Sequence, residues 1–562
     1  MRMWWCVLFS AAVAITAPAA NLAGSDNGTA LSSSHVLGND ATPFLWGVAT
    51  AAYQIEGSVD AEGRGPSIWD TFAHMPGKIS NNDNGDVADD SYRQFREDVE
   101  SIKKMGLNAY RFSISWSRIL PQGSLKGGIN YLAIRHYNRL VDELLDSGIQ
   151  PLVTLYHWDL PAALEEAYGG WLSPEVERDF SDYVDICFSN FGDRVKYWIT
   201  LNEPWTYSLM GYGMGSFAPG RCSDRRKCQH GNSSTEPYVV AHNSLNAHAA
   251  AVELYRLKYQ SQQGGKIGIT LNHDWAEPLT DSPADRAAAE RRNEFAMGWF
   301  ADPLFFGRYP DSMVQLVGAR LPAFTTSQRK RIKGSYDFLG LNHYSSKYYS
   351  SAAAPNEGSW SGDQANAETK FSSSGLIIGP QAASPWLNVV PWGFYNVLQW
   401  SSRRYTLDGK RPVIIVTENG CDAPGENEKP LPDVLHDTFR IKYYEQYLAQ
   451  MERAIRDGVD IRGFMAWSLN DNFEWADGYG FRFGLTYVDY HDPLRTRYPK
   501  SSSVWYAQYT RNHSRSVDQP NSAVNDVDEA GNSAHSHPST WVDFLFRALE
   551  ISPTGLSLSE MV

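Results

Sequence analysis

Two glutamates stand where a carboxylate is hardest to keep: Glu203 in Thr200-Leu201-Asn202-Glu203-Pro204 and Glu418 in Val416-Thr417-Glu418-Asn419-Gly420. Each follows an apolar, β-branched run, Val195-Lys196-Tyr197-Trp198-Ile199 before the first and Pro412-Val413-Ile414-Ile415-Val416 before the second. Burial penalises a charged carboxylate unless it is paired or keeps its proton. Two of them closing separate strands suit a site in which one group passes a proton and the other attacks. That is the chemistry with which a carboxylate pair breaks a glycosidic bond.

The elements that must hold such a pair are visible as apolar runs of strand length. They are Phe44–Ala49, Asn108–Ser113, Gln150–Leu155, Val195–Thr200, Lys266–Leu271, Tyr336–Leu341, Pro412–Thr417 and Ile461–Ala466. Amphipathic stretches such as Tyr131–Ser147 and Val176–Phe191 lie between them. Continuous apolar runs, rather than alternating ones, indicate strands covered on both faces. Eight such strand-then-helix units predict the α/β class and a (β/α)8 TIM barrel as a single catalytic domain over 41–512.

A barrel of this kind works at the C-terminal ends of its strands. There the sequence offers Gln54, His157 and Trp158, Asn202 and Glu203, Asn272 and His273, Asn342 to Tyr344, Glu418 and Asn419, and Trp467 through Trp475. Amides, imidazoles and carboxylates interleaved with indoles suit a ligand with many hydroxyls and apolar ring faces. A phosphate site would want a glycine-rich loop with lysine or arginine, and no strand end supplies one.

Composition narrows the classes further. The 562 residues include 42% hydrophobic side chains, ample for a large core, and 19 Trp with 30 Tyr. A net charge of −14 argues against nucleic acid and anionic membranes as partners. Residues 1–19 read as a signal peptide: a basic start, an apolar run from Trp4 to Ile15 and Ala17-Pro18-Ala19 for cleavage. The expectation is a secreted or luminal protein with a polar segment over 20–40. Cys222 and Cys228 in a polar loop suit a local disulfide better than a metal site, and Cys187 and Cys421 are expected to be free and buried. Sequons at Asn27, Asn232 and Asn512 agree with export. Residues 513–562 read as a polar linker ending in an apolar patch, Trp541 to Phe546.

Six motifs in order, from Phe44-Leu45-Trp46-Gly47 through Arg111 to Arg118, His157-Trp158-Asp159-Leu160-Pro161, Asn202-Glu203-Pro204, Thr417-Glu418-Asn419-Gly420 and Trp467 to Trp475, resemble glycoside hydrolase family 1. The resemblance spans about Phe44 to about Tyr506 and implies a retaining β-glucosidase, acting on small β-glycosides without cofactor or metal. It assigns Glu418 as nucleophile, supported by Arg111 and Tyr344, and Glu203 as acid/base, with the carboxyl groups about 5 to 5.5 Å apart. It assigns sugar binding to Gln54, His157, Asn202, Tyr344, Trp467, Glu474, Trp475 and Phe483. Glu474 as a carboxylate would accept two hydroxyls and repel a phosphate on the sugar. Trp392 aligns loosely with an aromatic on the leaving-group side, where simple packing is an equal reading. Leaving-group choice is expected in loops such as 350–386. Cys421 departs from the family, standing where a bulky apolar residue is expected. A carbohydrate-binding pseudoenzyme is the rival reading, and the intact pair of glutamates speaks against it. Transglycosylation through the same intermediate remains a second alternative.

Overall fold

Each of the eight apolar runs forms a strand, and the strands close on one another. The computed structural model describes residues 43–353 and 358–515. The expected signal peptide, the 20–40 segment, the Asn27 sequon and the apolar tail lie outside the described residues. The barrel strands are β1 (Leu45–Ala49), β2 (Ala109–Ser113), β3 (Gln150–Tyr156), β4 (Tyr197–Asn202), β5 (Lys266–Asn272), β6 (Phe338–Asn342), β7 (Ile414–Asn419) and β8 (Ile461–Trp467). Each pairs in parallel with its sequence neighbours, and β1 pairs with β8 to close the barrel.

Register brings the strand ends to one rim. Ala49 is level with both Trp467 and Arg111, and Asn342 with both Asn272 and Glu418. Every residue of β1, β2, β6 and β7 is buried, which is why these strands read as mainly apolar runs, broken by residues such as Arg111 and Glu418, instead of alternating ones. The helices Ser91–Met105, Tyr131–Asp146, Val176–Phe191, Glu236–Lys258, Pro391–Arg404 and Thr438–Arg456 lie between the strands in sequence. Helix Val176–Phe191 buries Phe180, Tyr183, Val184, Cys187 and Phe188 on one face, the spacing that predicted it.

Two features depart from the sequence reading. Trp275–Pro278, Ser346–Ser351 and Asn366–Thr369 form a three-stranded sheet outside the barrel, built from short half-exposed strands with little apolar signal. The last helix, Ser501–Arg515, runs on past residue 512. Its inner face is carried by Tyr506 and Thr510, and Tyr509 and His513 both reach Glu452, so a polar-looking stretch still has helical anchors.

Cys222 and Cys228 are disulfide-bonded with Cα atoms 5.5 Å apart, and Cys187 and Cys421 are free and buried. Among the described residues no helix is long and apolar enough to cross a membrane.

Candidate active site

Glu203 occupies the turn from β4 into helix Pro204–Tyr212. Its N–H donates to the Thr270 carbonyl at 2.9 Å, adding one rung to the β4–β5 ladder. Its backbone then enters the left-handed region at φ 46°, and Pro204 opens the helix, where a missing N–H costs nothing. The side chain is 7% exposed. Asn342 Nδ2 donates to Oε1 and Thr206 Oγ1 to Oε2, each at 2.7 Å. Burial, then the charge of Glu418, pushes the Glu203 carboxyl up to about 8, with those two hydrogen bonds pulling the other way.

Glu418 sits in the opposite setting. The fully buried Arg111 guanidinium pairs with its Oε1, and Tyr344 donates its hydroxyl to Oε2 at 2.7 Å. Arg111 is itself held: Nε donates to Thr154 Oγ1 at 3.1 Å and Nη2 to Asn202 Oδ1 at 2.6 Å. Burial and the Glu418 charge hold the Tyr344 hydroxyl well above the usual phenol range, so it stays a donor. Asn342 joins the two halves, donating to both Asn202 Oδ1 (3.2 Å) and Glu203 while accepting from Thr417 Oγ1 at 2.7 Å. Gly420 follows because the chain runs against β8 there: a Cβ would lie 1.8 Å from the Trp467 carbonyl oxygen.

Around this pair lies a ring of polar and aromatic groups. Asn202 Nδ2 donates to His157 Nε2 at 2.9 Å, which leaves the proton on Nδ1. Burial, and then Arg111, lowers the His157 pKa well below normal, so the ring is neutral. Gln54 donates to Asn472 Oδ1 at 2.8 Å and to the Phe473 carbonyl at 2.9 Å. His157 Nδ1 and Gln54 Oε1 are buried without a protein partner. Orphaned buried polar atoms are costly and suit a hydroxyl-rich ligand. Trp467 Nε1 donates to Glu474 Oε1 at 3.4 Å. Burial pushes Glu474 well above the carboxylate range. A raised carboxyl is easier to protonate, and the Trp467 hydrogen bond pulls the other way.

The aromatic walls are in mutual contact. The Trp475 ring lies 4.4 Å from Trp158 and 5.9 Å from His157, nearly parallel to the latter at 21°. Phe483 meets Tyr344 edge-on at 6.2 Å. These contacts bring Arg111, His157, Asn202, Glu203, Tyr344, Glu418, Trp475 and Phe483 together, with Trp467 packed on His157 and bonded to Glu474, and Gln54 bonded to Asn472 and Phe473. Sequence reading placed Asn342 and Trp158 at strand ends without a role, and gave none to Thr206 or Trp386. Trp158 donates its indole N–H to the Asn202 carbonyl at 2.9 Å. Trp386, rather than Trp392, makes ring contacts with Tyr344 (5.8 Å) and Phe483 (6.5 Å). Among the described residues no group of His, Cys, Asp or Glu is placed to hold a metal ion.

Residues 40–515 match the model of glycosyl hydrolase family 1. The chain belongs to that family. Within family 1 it is 52% identical over 474 residues to β-glucosidase 24 of Oryza sativa subsp. japonica, covering 84% of this chain and 93% of the relative. It is 50% identical to a furostanol glycoside 26-O-β-glucosidase of Hellenia speciosa, over 86% of this chain and 85% of the relative. A family 1 β-glucosidase of the fungus Humicola insolens, solved in complex with glucose, superposes with a TM-score of 0.81 at 48% identity, over 84% of this chain and 98% of that one. Cys421, the family 1 position that stood out in the sequence, is fully buried and offers its carbonyl to Arg440 Nε at 3.0 Å. It acts there as a small apolar side chain.

Proposed function

We propose that the protein is a retaining β-glucosidase that removes terminal, non-reducing β-D-glucosyl residues by double displacement. The observation that carries this reading is the contrast between two linked carboxylates. Glu203 is held as an acid at about 8 by burial and by Glu418, whereas Glu418 has a buried guanidinium and a phenol pointing at its two oxygens. Glu418 attacks the anomeric carbon while Glu203 gives its proton to the departing oxygen, leaving a glucosyl ester on Glu418. That ester carries no charge. The contribution of Glu418 to the raised pKa of Glu203 then vanishes, so Glu203, having given up its proton, stays ionised and is available to take one from the incoming water.

The glucosyl unit rests in the ring of Gln54, His157, Asn202, Tyr344, Trp467, Glu474, Trp475 and Phe483, where the orphaned Gln54 Oε1 accepts from a sugar hydroxyl and the His157 Nδ1–H donates to one. Relatives named for β-glucosidase activity at about half identity support the choice of glucose. An intact acid and nucleophile weigh against a glycan-binding pseudoenzyme. Export from the cytosol is part of the proposal, supported by the Cys222–Cys228 disulfide and the leader-like start of the sequence.

A 2-deoxy-2-fluoro-β-glucosyl substrate with an activated leaving group tests the mechanism, because it traps the ester. Peptide mapping is expected to place the label on Glu418. A label on any other residue, or none on folded enzyme, sinks the assignment.

A further inference from the structure

We propose that Asp422 is a positioning residue that clamps the Trp386 turn to the Glu418 strand end and so sets the face against which the leaving group lies. This rests on the β-glucosidase reading for its choice of ligands. Trp386 differs from the other site aromatics in one respect: it is 41% exposed, against 4% for Trp467, 6% for Trp475 and 3% for Phe483. Its ring lies nearly parallel to Phe483 (13°) and edge-on to Tyr344, which in turn holds Glu418. It is therefore the outermost plate of a wall that begins at the nucleophile. Exposed aromatic faces suit the apolar side of a glycoside's leaving group.

Trp386 sits on a turn with few ties to the barrel. Gln381 Nε2 donates to the carbonyls of Ser384 (2.8 Å) and Leu387 (2.7 Å), which shapes the turn from within. At the base, Ser345 Oγ donates to the Asn388 carbonyl at 3.0 Å and accepts from its N–H at 2.9 Å, fixing the hairpin to the end of β6. At the tip the tie is Asp422. Its Oδ2 accepts from the Ser384 N–H at 2.7 Å and from Ser384 Oγ at 2.6 Å. Both residues are buried, and Asp422 follows Glu418 by four positions in the chain. Removing the carboxylate would leave two buried donors without an acceptor, so the turn must shift to rehydrate them. Trp386 shifts with it, while the glucose ring's partners, none of which is hydrogen-bonded to Asp422, keep their contacts and Glu474 loses one neighbouring charge.

The test separates leaving-group contact from glucose contact. Binding of p-nitrophenyl 1-thio-β-D-glucoside and of glucose is measured for the full chain, Asp422→Ala, Asp422→Asn and Trp386→Ala. Kinetics on p-nitrophenyl β-D-glucoside and β-D-glucosyl fluoride run in parallel. Asp422→Ala is expected to weaken the thioglucoside and lower kcat/KM on the nitrophenyl substrate by about tenfold, with glucose and the fluoride within about twofold. Asp422→Asn, which keeps a carbonyl for Ser384, is expected to restore both. Asp422→Ala should add nothing once Trp386 is alanine. Parallel losses for glucose and thioglucoside, or no loss for either, would overturn the clamp. Absence of wild-type turnover would instead count against the β-glucosidase reading, since the binding contrast needs no turnover.

Discussion

Replacing Glu203 by glutamine gives the sharpest test of the site, because the structure sets both its direction and its pH window. Burial and Glu418 raise the carboxyl from 4.5 to about 8. At pH 6 such a group is about 99% protonated, whereas an unshifted one would be about 3% protonated. The fold thus supplies about a thirtyfold gain in available acid at that pH. Glu203→Gln removes the proton donor and keeps the shape. General acid catalysis is worth about 100- to 10,000-fold where the leaving group needs a proton. Alkyl glucosides should lose that much, and 2,4-dinitrophenyl glucoside, which leaves unaided, should keep near-normal glycosylation. The basic limb of kcat/KM near pH 8 should vanish with the side chain. Stability moves the opposite way. A carboxyl whose folded pKa is raised is fully tolerated below pH 4.5 and costs stability as pH climbs toward about 8, up to about 5 kcal/mol above it. Glu203→Gln should therefore raise resistance to urea at pH 8 and leave it nearly unchanged at pH 4.5. Equal loss on both substrates, or a basic limb that survives in the variant, would refute the assignment of Glu203 as the acid.

Two further outcomes follow from the same network and a third from the disulfide. Tyr344→Phe removes a hydrogen bond to a charged carboxylate and should cost about 10- to 100-fold in kcat/KM, read by steady-state kinetics. Asn342→Ala deletes a donor that holds the Glu203 carboxyl down, so the basic limb of the pH profile should move to higher pH. Replacing Cys222 and Cys228 together by serine frees a short loop, and denaturant titration should register a loss of about 2 kcal/mol with the kinetic constants unchanged.

The barrel was legible because its strands are covered on both faces, which leaves a mainly apolar signature at each of the eight runs. Their ends differ by a residue or two, as at β4, which begins at Tyr197 and not Val195, since apolar character continues past the last ladder bond. The two glutamates were legible for a related reason: charge at the end of such a run is conspicuous. Asn342 was not, because an amide at a strand end is unremarkable until it is seen to bridge Asn202 and Glu203. Trp386 lay within the 350–386 loop expected to choose the leaving group. Its place beside Tyr344 and Phe483 depends on hairpin contacts far apart in sequence that no local period encodes.

Three side chains at the rim share a backbone habit that few non-glycine residues adopt: Trp158 at φ 75°, Glu203 at 46° and Trp475 at 54°. Each such residue costs on the order of 1 kcal/mol or more. Glycine would relieve that cost but abolish the group the turn exists to aim. The site therefore cannot be moved to another barrel by copying its side chains onto equivalent strand ends. A working graft would have to carry the three turns whole, together with the neighbours that keep them bent, and a recipient of marginal stability would unfold under the load.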